Sequence, residues 1–229
     1  MTAVAIITAR GGSKRIPGKN VRAFLGRPII EYSISAALRS RLFDEVMVST
    51  DNESIAELAL SLGASVPFMR SDSSASDLAT TFHVLDEVIS AYGERGRRFE
   101  VACCLYPTAP FVTAEKLVSA YSTLNETGAD VVLPITEFSF PIWRSFELNS
   151  RRVSFIWPHF ALSRSQDLVP AYHDAGQFYF FRPEILQAKG RLITDNTVGV
   201  PVSRMEVQDI DNEDDWILAE LKYGRHLNQ

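Results

Sequence analysis

Cysteine is nearly missing from this 229-residue chain: there are two, Cys103 and Cys104, side by side in an apolar run. Adjacent thiols cannot staple a small fold or make a CxxC metal clip, so a disulfide scaffold and a cysteine zinc site are excluded. No apolar run approaches 18 residues, which excludes a membrane-crossing helix, and the first residues lack the charged-then-apolar layout of a secretory leader. A basic excess is missing as well. Lys and Arg number 23 against 28 Asp and Glu, a formal net charge of -5, whereas a nucleic-acid coat or an anionic membrane wants a basic face. No internal repeat, low-complexity tract or linker interrupts the chain. What is there is 46% hydrophobic and 22% charged residues, enough to bury a core and too apolar for global disorder. The expectation is a cytoplasmic protein with neither nucleic acid nor membrane as partner.

Apolar runs of strand length alternate with longer segments of helical period. Val4–Thr8, Glu45–Ser49, Val101–Leu105, residues 130–135 and Gln177–Phe181 read as strands, with residues 65–68 a shorter candidate. Between them Ile30, Ile34 and Leu38 share one helical face, and Phe82, Leu85, Ile89 and Tyr92 share another. Thr113 is placed to cap a helix over 114–125, Pro183 opens a short helix, and Asn212 caps an acidic first turn leading through Tyr223. Near-continuous apolar strands separated by amphipathic helices predict an α/β fold, a mostly parallel central sheet sandwiched by helices. From about Thr136 to Pro170 the rhythm breaks. Trp143, Phe146, Phe155, Trp157 and Phe160 crowd a stretch without helical period, which suits a satellite core, a subunit interface or a lid. The simplest organisation is one domain, 1–229, with 136–170 as a protruding segment.

The first strand runs into Ala9-Arg10-Gly11-Gly12-Ser13-Lys14-Arg15-Ile16-Pro17-Gly18-Lys19-Asn20. Adjacent glycines let the backbone approach a ligand, and Arg10, Lys14, Arg15 and Lys19 supply four cations within ten residues of a net-acidic protein. Phosphate oxygens want such donors, and a departing pyrophosphate needs its growing charge neutralised. The dinucleotide fingerprint GxGxxG is absent. A Walker A loop fits poorly, because Ser13 replaces its first glycine and Asn20 its metal-binding hydroxyl. A basic surface loop is the plainer alternative.

Residues 8–20 resemble the nucleotide-binding loop of sugar nucleotidyltransferases, above all the cytidylyltransferases that activate nine-carbon sialic-type sugars, the CMP-nonulosonic acid synthetase family. The likeness continues through Gly26-Arg27-Pro28, Val48-Ser49-Thr50-Asp51, Val66-Pro67-Phe68-Met69-Arg70 and Ala79-Thr80-Thr81. It resumes at Tyr106-Pro107-Thr108-Ala109-Pro110-Phe111, Ser163-Arg164-Ser165-Gln166-Asp167, Tyr172–Tyr179 and Val207-Gln208-Asp209-Ile210-Asp211. Tyr172–Tyr179 and Ala109-Pro110-Phe111 look like the branch whose acceptor is pseudaminic acid. The neuraminate branch usually carries Gln-Pro-Thr-Ser-Pro where this chain has Tyr106-Pro107-Thr108-Ala109-Pro110.

The resemblance implies a glycosyltransferase-A type nucleotidyltransferase fold and transfer of CMP from CTP to the sugar's anomeric hydroxyl, with loss of pyrophosphate. It implies nucleotide binding by Ala9, Arg10, Gly11, Gly12, Lys14, Lys19, Asn20, Arg70, Ala79 and Thr81, with Arg10, Lys14, Lys19 and Asp211 carrying the chemistry. It implies sugar contacts from Tyr106, Arg164, Gln166, His173, Asp174, Gln177 and Tyr179. It also implies a homodimer built on the protruding segment, and Mg²⁺ on Asp209 and Asp211. In an extended segment positions i and i+2 face one side, so the two acids can share a hard cation; alternatively they serve the helix N-terminus at Asn212. Arg164 suits a sugar carboxylate or a plain pair with Asp167. His173 beside Asp174 suits acid/base work or a hydrogen-bonded turn, and sugar recognition is the preferred reading. Neuraminic, legionaminic and 3-deoxy-manno-octulosonic acids are alternative acceptors, and a nucleotide-binding regulatory module without turnover is the non-enzyme alternative.

Overall fold

The computed structural model describes residues 2–227. In chain order the elements are β1 (Ala3–Thr8), β2 (Ala23–Phe24), β3 (Arg27–Pro28), α1 (Ile29–Ser40), β4 (Glu45–Ser49), α2 (Glu53–Ser61), α3 (Asp72–Ala75), α4 (Thr81–Glu94) and β5 (Val101–Leu105). Then follow α5 (Ala114–Thr127), β6 (Val131–Glu137), β7 (Phe146–Asn149), β8 (Arg152–Phe155), β9 (Tyr172–Asp174), β10 (Phe178–Phe181), α6 (Pro183–Lys189), β11 (Thr197–Pro201) and α7 (Glu213–Leu227).

The main sheet has seven strands, ordered β11-β6-β10-β5-β1-β4, with β9 on the far end of β6. β4, β1 and β5 are mutually parallel, as are β6 and β11, while β10 runs antiparallel between β5 and β6. The expected mostly parallel α/β sheet is therefore present, with one reversed strand near its middle. Both faces are covered. Ile30 and Ile34 of α1 and Leu117, Ala120 and Leu124 of α5 pack on Ala5, Ile7 and Cys103; Leu85, Val88 and Tyr92 of α4 pack on Val4, Ile6 and Cys104. Alternate residues of β1 and β5 thus feed opposite cores, the period-2 signature of a strand buried on two faces. Cys103 and Cys104 are wholly buried core residues whose thiols burial pushes up, that of Cys104 to about 12.

Three elements depart from the sequence expectation. Residues 65–68 form only an isolated bridge, Ser65 to Met47; Pro67 has no N–H to extend a ladder. Leu38 lies on the exposed side of α1 although Ile30 and Ile34 are buried. The stretch 136–170 contains the antiparallel hairpin β7–β8, whose strands pair with each other. Trp143 gathers Trp157 and Phe160 at ring distances of 5.6 and 5.7 Å, a small satellite cluster, yet Phe140, Leu148, Val153 and Leu162 remain exposed.

A third, smaller core decides the site. Ile16 from the glycine loop, Phe24, Ile29, Phe111, Trp216 and Ala219 enclose Ile210. Burying a side chain of this size contributes about 1.5–3 kcal/mol, so the loop after β1 and the segment before α7 are pinned to one another.

Candidate active site

β1 and β5 are parallel neighbours, so the segments leaving Thr8 and Leu105 emerge at the same edge of the sheet, where open α/β sheets bind ligands. The first segment turns over Gly11, whose N–H donates at 2.8 Å to Asp51 Oδ1. A Cβ on Gly11 would stand 2.9 Å from Cβ of Asn52, the residue that caps α2 by accepting from the Ile55 N–H. Glycine at position 11 is therefore demanded by contact with the cap of α2. Gly12 meets no such neighbour. Asn20 Nδ2 donates to the Arg10 carbonyl at 2.8 Å, closing the loop on itself.

Buried Ile210 sets the direction of its neighbours. With position 210 turned into the third core, Asp209 and Asp211 must face the other way, and both border a cleft of about 500 Å³ between the loop and the segment after β5. Arg10, Lys14, Arg15 and Lys19 line one side; Thr81, Tyr106 and Thr108 line the other. Lys19 Nζ donates at 2.6 Å to the Ile210 carbonyl and lies 3.9 Å from Asp211, which Arg15 approaches to 2.7 Å. Burial lowers the Lys19 pKa against the opposing pull of Asp211 and Asp209. Partial burial first, and the Asp211 charge second, push the Asp209 carboxyl up. A carboxyl held up by partial burial and by a close second carboxylate belongs to a donor set that a divalent cation relieves.

Asp77, which the sequence reading did not single out, also reaches this loop. Its carboxylate pairs with Arg10 at 2.8 Å and with Lys14, and Lys14 first, then Arg10, hold it below the usual carboxylate range. Its signal in the sequence was faint: one acid between Ser76 and Leu78, just before Ala79-Thr80-Thr81.

Other candidates are placed differently. Ala9 is buried, its N–H bonded to the Ser49 carbonyl at 3.0 Å, and Ala79 sits in the turn before α4, its N–H on the Ser76 carbonyl. Arg70 is buried with its guanidinium on Ser49, at 3.0 Å to Oγ and 2.7 Å to the carbonyl; burial lowers its pKa. Neither Arg70 nor Ala79 borders the cleft as Thr81 does, whose Oγ1 lies 3.2 Å from the Tyr106 hydroxyl.

Among the sugar candidates, His173 borders a second groove of about 940 Å³ that shares Asp209 and Asp211 with the first. Its Nδ1 lies 2.9 Å from the Asp174 carbonyl, and among the described residues no carboxylate contacts it, so the local geometry is that of a hydrogen-bonded turn. Asp174 accepts from the Gly176 N–H at 2.8 Å and from the Tyr179 hydroxyl at 2.5 Å. Tyr179 is buried. Gln177 is buried too, its Nε2 donating at 2.6 Å to the Glu206 carbonyl. Tyr179 and Gln177 are thus buried supports, whereas Asp174 is exposed. Arg164 and Asp167 form the bidentate pair at 2.7 and 3.1 Å on the exposed excursion, and Gln166 borders a smaller groove there.

The helix-terminus duty open to the two acids falls to other residues. Asn212 Oδ1 accepts from the Asp215 N–H at 3.0 Å, and Asp215 Oδ2 accepts from the N–H groups of Asp211 and Asn212 at 3.0 and 3.1 Å. Asp209 and Asp211 are left facing the cleft.

The cytidylyltransferase family model matches residues 4–154. The chain is 39% identical over 225 residues to a pseudaminic acid cytidylyltransferase of Campylobacter jejuni, covering 97% of each. It is 31% identical to a CMP-N,N'-diacetyllegionaminic acid synthase of Legionella pneumophila, over 96% of this chain and 95% of that one. Among solved structures, a CMP:2-keto-3-deoxy-manno-octonic acid synthetase complexed with CTP superposes with a TM-score of 0.70 at 18% identity, covering all of both chains, a likeness of fold. Together with the cation loop and the acid pair at one end of the sheet, these matches establish that the chain belongs to the cytidylyltransferase family of nucleotidyltransferases.

Proposed function

We propose that this chain transfers CMP from CTP to the anomeric hydroxyl of pseudaminic acid and releases pyrophosphate. The observation that carries the reading is the single cleft in which Arg10, Lys14 and Lys19 face Asp209 and Asp211. The acceptor is read from the 39% identity to a pseudaminic acid cytidylyltransferase over nearly the whole chain.

In this reaction the sugar oxygen forms a bond to the α-phosphorus while the bond to the pyrophosphate oxygen breaks. No protein nucleophile is needed, so catalysis is positioning plus neutralisation of charge on the leaving group. Arg10 and Lys14 reach the outer phosphates once Asp77 releases them, and Lys19 sits deeper, beside the acids. Asn20 holds the loop closed through the Arg10 carbonyl. Thr81 borders the nucleotide side, next to the sugar candidate Tyr106, and Arg70 acts from behind through Ser49. Asp209 and Asp211 fit a Mg²⁺ ion, since Mg²⁺ takes one or two carboxylates and fills its remaining positions with water and phosphate oxygens. Such an ion supplies charge neutralisation at the phosphates and lowers the pKa of a coordinated hydroxyl.

Leu148 and Val153, exposed and paired across β7 and β8, support a homodimer formed through this hairpin, since exposed apolar patches mark contact sites. Both substrates are polar solutes, and no described helix is long and apolar enough to cross a membrane; the reading places the reaction in the cytoplasm. The test is pyrophosphate release from CTP and Mg²⁺ with pseudaminic, legionaminic, N-acetylneuraminic and 3-deoxy-manno-octulosonic acids in turn. Pseudaminic acid should give the highest kcat/KM. Preference for another acid would reassign the acceptor, and CTP binding without turnover on the whole panel would favour a regulatory module.

A further inference from the structure

The groove beyond the acid pair has a charge problem. Four carboxylates border it; a divalent ion on Asp209 and Asp211 would offset that pair and leave Glu137 and Asp215. On the proposed reaction its occupant is itself an acid, carrying its carboxylate on the anomeric carbon next to the attacking oxygen. Like charges at such separations repel unless a cation stands between them.

Three basic side chains border the same groove: Lys222, His173 and Arg204. Lys222 is already engaged, its Nζ donating to the carbonyls of Val207 and Arg204 at 2.7 and 3.3 Å and to Gln208 Oε1 at 3.0 Å. His173 is turned to the Asp174 carbonyl and its ring packs 4.7 Å from that of Phe138. Arg204 differs. Among the described residues no hydrogen bond or ion pair engages its guanidinium, while its main chain is held at both ends of a short turn, by Lys222 on its carbonyl and by Ser203 Oγ accepting from the Met205 N–H at 3.2 Å. Its side chain borders both the acid-lined groove and the smaller groove beside Gln166. Arg164, the guanidinium that the sequence offered for this task, spends its fork on Asp167 and borders neither.

We infer that Arg204 is the residue that recognises the carboxylate of the sugar acid, and so selects 2-keto acid sugars over neutral ones. A guanidinium binds a carboxylate bidentately, which fixes the sugar's orientation as well as its charge. Held one turn before Asp209, it sets the anomeric carbon beside the acids. This inference rests on the proposed reaction for the identity of the occupant.

The experiment compares wild type, Arg204→Gln, Arg204→Lys and Arg164→Gln with CTP and either pseudaminic acid or its C1 primary amide, alongside calorimetric binding of pseudaminate. Wild type should prefer the acid. Arg204→Gln should raise the KM for the acid by about 10- to 100-fold, the loss of one charge-assisted contact. The KM for CTP and the kinetics of the amide should stay put, so that the acid-over-amide preference collapses. Arg204→Lys should recover part of it. A general structural defect would lower acid and amide together. If Arg204→Gln keeps the acid preference, or if Arg164→Gln abolishes it while Arg204→Gln does not, the inference is overturned with the reaction intact. If wild type neither binds nor consumes pseudaminate, both the reaction and this inference fall.

Discussion

Lys19 Nζ donates at 2.6 Å to the main-chain oxygen of Ile210, the residue that separates Asp209 from Asp211. One side chain thus ties the cation loop after β1 to the acids before α7, across most of the sequence. The two lysines of the loop should for that reason behave differently. Lys14 is exposed and, among the described residues, meets only Asp77. Replacing it with Ala should lower kcat/KM by roughly 10²-fold, the loss expected of one donor to a charged transition state, and leave the melting temperature unchanged. Lys19 is mostly buried, with 21% of its side chain exposed. Lys19→Ala should lose activity on the same scale and also about 1 kcal/mol of stability, the net worth of a typical buried hydrogen bond. Denaturant melts of the two variants beside their kinetics check this; equal stability in both would break the proposed tie.

Asp77 pairs with the two cations, Arg10 and Lys14, that the proposed reaction assigns to the triphosphate. Asp77→Asn removes the competing charge and should lower the KM for CTP several-fold, with a similar gain in pyrophosphate inhibition. The pH dependence has a definite sign. Lys14 and Arg10 lower the Asp77 pKa, so the pairing is complete above the ordinary carboxylate range and fades only as pH falls through the depressed value. Between pH 6 and 8, about two pH units or more above an ordinary carboxylate pKa, the difference between variant and wild type should be flat. A rise in KM for CTP in the variant would mean that Asp77 preorganises the loop instead of competing with substrate.

The sheet was legible because its strands are buried on both faces and run as uninterrupted apolar blocks; Val101–Leu105 is a strand with no exposed residue. The cation loop and the acid pair were legible because their chemistry is local, within a dozen residues in one case and three in the other. Other features depend on contacts far apart in sequence. The hairpin β7–β8 is exposed along nearly its whole length, so its alternation reports no core and reads as an irregular stretch. Gln177 lies in the bend before β10 and Tyr179 within it, and their side chains bond to the Glu206 carbonyl and to Asp174. Asp77 meets the cation loop only through folding, and little in its immediate neighbours marks it.

The exposed hairpin makes association testable. Leu148 and Val153 are directly paired in register across β7 and β8, and both are exposed. The protein should sediment as a dimer, and Leu148→Glu with Val153→Glu should shift it toward monomer, since two like charges facing each other cannot be buried without a partner. Sedimentation equilibrium on both proteins reads the outcome directly. A wild-type monomer at high concentration would remove the hairpin from assembly.

The acid segment allows a double dissociation. Asn212 caps α7 by accepting from the Asp215 N–H, and Asp215 accepts in return from the Asn212 and Asp211 N–H groups just before the helix. Asn212→Ala should therefore cost about 1 kcal/mol, as lost N-caps do, or about 2–4 °C in melting temperature for a domain of this size, while turnover stays near normal. Asp211 accepts no helix N–H; it faces Arg15 at 2.7 Å, and both side chains are substantially exposed, a pair worth about 0–1 kcal/mol. Asp211→Asn keeps the shape of the side chain and removes its charge. It should collapse activity, recover in part at raised Mg²⁺, and leave the metal-free melting temperature level or higher, because Asp209 and Asp211 repel each other until a cation joins them. Asp209→Asn should repeat the pattern, and the double variant should lose far less than the two losses combined, as expected of residues that act as one unit. If Asp211→Asn melted early and turned over normally while Asn212→Ala lost activity, the two tasks would be interchanged, and the divalent ion would have to be sought outside this pair.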